Sequence, residues 1–184
     1  MSIFPHRAGA RLRLLVVAAT GVLGAATAAA GASPQEQRHS PETSGSERAG
    51  LARAFYAAVD ARPFDPEAVR RLLAPGFTDR NRPPGFEGLS DRDTIVALLT
   101  GLAAAFPDGR HRLERVEPVS RDEVLLYWRF TGTHTGGPIF GLPANGAAVD
   151  FIGTDLFRAR RQHFVEQRHV EDLATLTRQL GGAR

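Results

Sequence analysis

The chain has 184 residues, no cysteine, and 23 basic against 20 acidic side chains, every basic one an arginine. Absence of cysteine excludes disulfides, thiolate metal sites and thiol nucleophiles. The formal surplus of +3 is carried by Arg7, Arg11 and Arg13; from residue 33 onward twenty arginines face twenty acids, which argues against nucleic acid as a partner.

Residues 1–32 read as a bacterial-type secretory signal peptide. A basic start precedes an Ala-rich apolar run from Leu14, and Ala30-Gly31-Ala32 supplies a small-residue cleavage pattern before Ser33. The protein is therefore expected to be exported, periplasmic or secreted. The alternative is an uncleaved leader serving as the only membrane contact, because a run of about 18 or more apolar residues can span a bilayer. Residues 33–46 are polar, contain two prolines and lack an apolar period, as expected of a disordered tether. Residues 47–184 are long enough for one domain with one core.

From Ser46, a candidate cap, Leu51, Ala54, Phe55, Ala58 and Val59 recur at helical spacing, and Pro63 forbids continuation. A second short helix starts at Asp65-Pro66, buries Val69, Leu72 and Leu73, and stops at Pro75-Gly76. The third is capped by Ser90 with Asp93 three residues on, and carries the stripe Ile95, Leu98, Leu99, Leu102 and Phe106. The period then changes to two: residues 111–119, 124–135, 147–158 and 163–170 read as strands. Leu173, Leu176 and Leu180 predict a short C-terminal helix ended by Gly181-Gly182. Helices followed by strands predict an α+β fold, an antiparallel sheet curling over helices on one face. A small molecule would bind between the two layers.

No nucleophile elbow, phosphate-binding loop or His-Glu-x-x-His motif is present, and no two of the histidines beyond the leader have helical metal-ligand spacing. Two strand residues carry possible chemistry. His134 ends the run LLYWRFTGTHT on the parity of Trp128 and Phe130. It is either a pocket group or a core histidine bonded to a backbone carbonyl. Asp155, within VDFIGTDLFR, shares the parity of Phe151 and Phe157. Burial would raise its pKa and suit it to general acid/base work, unless an arginine pairs with it.

The segments TGTHTGGPIFGLPANG (131–146), VDFIGTDLFR (149–158) and FVEQRHVEDLATLTRQLG (164–181) resemble the SnoaL-like polyketide cyclase, or ester cyclase, family. The likeness extends upstream through 55–81 and 104–117. The resemblance implies a nuclear-transport-factor-2-like cone, commonly dimeric. It also implies ring closure by intramolecular aldol condensation without metal or cofactor. Carried over by motif, Asp155 is the acid/base and His134 its catalytic partner. Asn81 and Trp128, then Tyr56 and His169, line the substrate pocket. The chain departs from the pattern at Arg80, where the family often has histidine, and at Arg168, where it commonly has tryptophan. An Arg168 facing the pocket would pair with Asp155 or bind an anionic substrate. The expected partner is a small hydrophobic carbonyl or ester compound, bound by a homodimer. The alternatives are a non-catalytic cone that holds such a ligand, or a dimerisation scaffold filled by its own side chains.

Overall fold

The computed structural model describes residues 44–181; the leader and residues 33–43 of the tether lie outside the described residues. Helix α1 spans Gly45–Val59 and is capped by Ser44, two residues before the expected Ser46. The Ser44 side chain accepts from the Glu47 N–H while the Glu47 carboxylate accepts from the Ser44 N–H, a reciprocal capping box. Helix α2 (Pro66–Leu72) starts on Asp65, and α3 (Asp91–Ala105) on Ser90, which accepts from the Asp93 N–H.

Five strands follow or interleave: β1 Leu73–Asp79, β2 Arg110–Pro118, β3 Glu123–Thr133, β4 Ala148–Arg160 and β5 His163–Glu171. Helix α4, Leu173–Gln179, closes the chain. The sheet order is β1-β5-β4-β3-β2, so the three sequential antiparallel pairings are joined by a parallel one between β1 and β5. The expected all-antiparallel sheet is thus corrected to a mixed one. Strand β1 contains Pro75 and Gly76, read from sequence as a terminator. Both fall in the register gap between Leu73 and Thr78, on an edge strand, where a missing N–H costs no ladder bond.

One face of the sheet is covered by helices. On it lie Val124, Leu126, Trp128 and Phe130 of β3 and Val149, Phe151, Asp155 and Phe157 of β4, all buried. Helix α1 places Phe55 and Tyr56 against this face: Phe55 packs edge-on to Phe157, which stacks on Phe164 with centroids 4.2 Å apart. Burying this many aromatic rings supplies the main favourable term for the fold. On β5 an extra residue, Val165, opposes the step from Arg158 to Ala159. That bulge shifts the alternation, so Phe164 and Gln167 share the covered face while Glu166 and Arg168 take the other.

Candidate functional site

The site is built outward from β4. Asp155 is 2% exposed and accepts three hydrogen bonds, none from a charged group. The Tyr56 hydroxyl and the Trp128 indole N–H (2.6 Å) donate to Oδ2, and the Gln167 amide (2.6 Å) donates to Oδ1. Each donor comes from a different element, α1, β3 and β5. Burial pushes the Asp155 pKa up, against the opposing pull of its hydrogen bonds from Tyr56, Gln167 and Trp128. Burial, together with the Asp155 charge, also pushes the Tyr56 phenol well above its ordinary value.

Trp128 reaches Asp155 across Gly153, its own cross-strand partner. A Cβ on residue 153 would stand 2.3 Å from the indole ring, so only glycine leaves the ring room to lie there. Gln167 is buried to 6% exposure, and its Oε1 has no hydrogen-bond partner. An acceptor held in a dry environment without a donor is costly, and a ligand hydroxyl would relieve it.

Two histidines flank this centre. His169 is the cross-strand partner of Asp155, so both side chains project from the same face. Its ring lies between Glu171 (2.7 Å) and Asp79 (3.2 Å). Burial pulls its pKa down, but the two carboxylates outweigh that and push it up to about 10. His111, at the start of β2, packs edge-on against Tyr56, Trp128 and Phe130, with centroids 4.8–5.0 Å apart. Asp60, the residue that ends α1, accepts both its backbone N–H (2.7 Å) and its ring Nδ1 (2.8 Å). Among the described residues no three His, Asp or Glu side chains are grouped to hold a metal ion.

Residues 50–180 match the family described as SnoaL-like polyketide cyclase. The chain belongs to that family. A search of curated proteins found no match. Solved structures support the fold. AclR of Streptomyces galilaeus, described as a candidate hydroxylase, superposes with a TM-score of 0.64 at 23% identity, over 77% of this chain and 89% of its own. TsrD of Streptomyces laurentii gives 0.62 at 25% identity, over 73% and 94%. A SnoaL-like protein of Jannaschia sp. CCS1 gives 0.63 at 22%, over 80% and 99%. Proteins of the nuclear-transport-factor-2-like and ketosteroid-isomerase-like folds superpose as well. The α+β fold is the one these proteins share.

Within this SnoaL-like domain the sequence-derived residues separate into two groups. Asp155, Tyr56 and Trp128 meet directly, and His169 stands opposite Asp155. His134 does not join them. Eight residues of chain separate it from Leu126, the cross-strand partner of Asp155, roughly 26 Å at about 3.3 Å per residue. Fully buried, it packs on Phe106 and donates from Nε2 to the Gly137 carbonyl (2.9 Å). There it pins the turn after β3, whose Gly136 N–H bonds the Ala105 carbonyl at the end of α3. The catalytic partnership of His134 with Asp155 is therefore corrected; the histidine is a core residue bonded to a backbone carbonyl.

Arg168 is corrected too. It faces away from the helices, opposite Leu156, and pairs with Glu166 (2.9 Å) and Glu123 (3.7 Å), so it neither quenches Asp155 nor enters the site. Asn81 is exposed. Its carboxamide accepts the His169 backbone N–H (3.0 Å), which makes it a brace for β5 and not a lining residue. Sequence reading passed over Gln167, His111 and Asp60. Gln167 was hidden by the bulge at Val165. Asp60 and His111 stand 51 positions apart, with no motif linking them.

Proposed function

We propose that this chain is an exported, cofactor-independent acid/base protein. It acts on a small hydrophobic carbonyl or ester compound, with aldol cyclisation as the type reaction and Asp155 as the proton carrier. The observation that carries the reading is the environment of Asp155: a carboxylate 2% exposed, raised in pKa by burial and held only by uncharged donors. Such a group is protonated at higher pH than a free aspartate, which suits it to take and return a proton. Tyr56, Trp128 and Gln167 fix its position, which is what proton transfer to a bound ligand requires. Membership of the SnoaL-like polyketide cyclase family supports the reaction class.

The leader pattern of residues 1–32 supports export. On the sheet face away from the helices, Val170 is two-thirds exposed in a row with Tyr127 and Thr154, which supports a homodimer through that face.

The test starts with mass spectrometry of the ligand that co-purifies from the native host, followed by turnover of that compound by wild type and Asp155→Asn. Loss of turnover in the variant is expected; equal turnover would show that Asp155 is not the proton carrier. A second reading, a non-catalytic binder, is favoured by one fact: both Asp155 oxygens are already engaged by the protein. It predicts a ligand retained unchanged by both proteins.

A further inference from the structure

Removing His134 from the site leaves one group to perform proton transfers usually shared between two. The histidine that does lie at the aromatic wall of Asp155 is His111. Its side chain is only 4% exposed, and its ring touches the same Tyr56 and Trp128 rings whose polar atoms bind Asp155. Asp60 grips it twice, and the two grips have different consequences. The backbone N–H bond to Oδ2 fixes where the Asp60 carboxylate sits. The ring bond to Oδ1 then fixes the tautomer, because a carboxylate can only accept and Nδ1 must therefore carry the hydrogen. The other ring nitrogen, Nε2, is in no hydrogen bond among the described residues, and in the neutral ring it is the one that keeps the lone pair.

We infer that His111, oriented by Asp60, is the second proton carrier of this site and takes the base role, leaving Asp155 as the acid. The inference rests on the reading of Asp155 given above and divides its work. In the forward step the proton of a carbon flanked by carbonyls passes to Nε2. The C–H electron pair stays with the substrate as the enolate, and the imidazolium formed lies against the Asp60 carboxylate. Attack of that enolate carbon on a second carbonyl forms the C–C bond, and the proton of Asp155 passes to the alkoxide oxygen. Exchange with solvent removes the proton from His111 and restores one to Asp155. No oxidant or second substrate is needed.

The deciding variant is Asp60→Asn. The His111 backbone N–H still requires an oxygen, so the amide NH2 of the new side chain would face Nδ1 and donate to it. Nε2 would then carry the hydrogen and could not accept another. Two measurements on the full chain test this. The first is long-range 15N–1H correlation NMR of ring-labelled histidine at neutral pH, with the His111 signal assigned by its loss in His111→Gln. Wild type should show a bare Nε2 and Asp60→Asn a protonated one; a protonated Nε2 in wild type overturns the proposal. The second is hydrogen–deuterium exchange at the activated methylene of methyl acetoacetate in D2O. The rate should fall about 100-fold or more in both Asp60→Asn and His111→Gln. Wild-type exchange in those two variants overturns the role of His111 while leaving Asp155 in place. Asp155→Asn should keep wild-type exchange, because Asp155 acts only after the C–H step. Loss of exchange in that variant gives the base role back to Asp155 and overturns the proposal, as does exchange no faster than buffer in wild type.

Discussion

Two carboxylates are buried to nearly the same degree on opposite faces of one sheet, Asp155 at 2% exposure and Glu166 at 6%. Their pKa values move in opposite directions. Asp155 is met by a phenol, an indole and an amide, and burial wins: its pKa rises. Glu166 is met by arginines. Arg80 donates twice (2.6 and 3.0 Å), and Arg168 and Arg158 lie 2.9 and 3.7 Å away, which together hold the carboxyl below its ordinary value. Burial alone therefore does not make an acid. Charged hydrogen-bond donors pull a buried carboxyl down, whereas uncharged donors leave burial in control.

The largest test of that contrast is Asp155→Asn, expected to lower turnover of the natural ligand at least about 100-fold. The same substitution should change folding stability by less than about 1 kcal/mol in urea titrations, because it removes a charge that is costly to bury. Glu166→Gln should do the reverse. Leaving three guanidiniums without their shared anion should cost about 2–3 kcal/mol in the same titration, with turnover unchanged. The two residues also separate by pH. Glu166, lowered in the fold, contributes stability that is present above about 4.5 and lost as pH falls through its folded value. Asp155, raised in the fold, contributes stability that is present below 3.8 and lost as pH rises through its folded value. The acid limb of stability should therefore flatten in Glu166→Gln and steepen in Asp155→Asn.

Gly153→Ala sharpens the comparison from the side of the donors. The added methyl would displace the indole that reaches Asp155, at a cost of about 2 kcal/mol. Trp128 is the sole tryptophan, so its emission should shift as the ring loses its carboxylate. His169 adds an alkaline limb: raised from 6.5 to about 10, it contributes stability that is complete below pH 6.5 and lost as pH climbs toward 10. His169→Gln should remove that limb from a pH series of thermal melts. The smallest effect is Arg80→Ala, under about 1 kcal/mol, since that side chain is 55% exposed and its pair is screened by water.

Much of the frame was legible because it depends on local chemistry. The caps at Asp65 and Ser90 marked helix starts, since a side-chain oxygen there satisfies an N–H that the helix cannot. The alternation through β3 and β4 put Trp128 and Asp155 on one face, and that is where they lie. Strand β1 was not legible. Leu73–Asp79 contains Pro75 and Gly76 and becomes a strand only because β5 offers it an edge. The same alternation that placed Asp155 misled over His134, because parity fixes which face a side chain takes but not how far along the strand it stands.

What the sequence alone determined, then, is the four helices, the four strands after α3, the family and the covered-face position of Asp155, all consequences of neighbours within a few residues or of a recognisable motif. Tertiary structure decided who meets Asp155. A one-residue bulge turned Gln167 toward it and Arg168 away, and the packing of α1 on the sheet brought Tyr56 to the carboxylate and Asp60 to His111. Contacts between elements depend on register and packing distance, and no periodicity in a single chain encodes those.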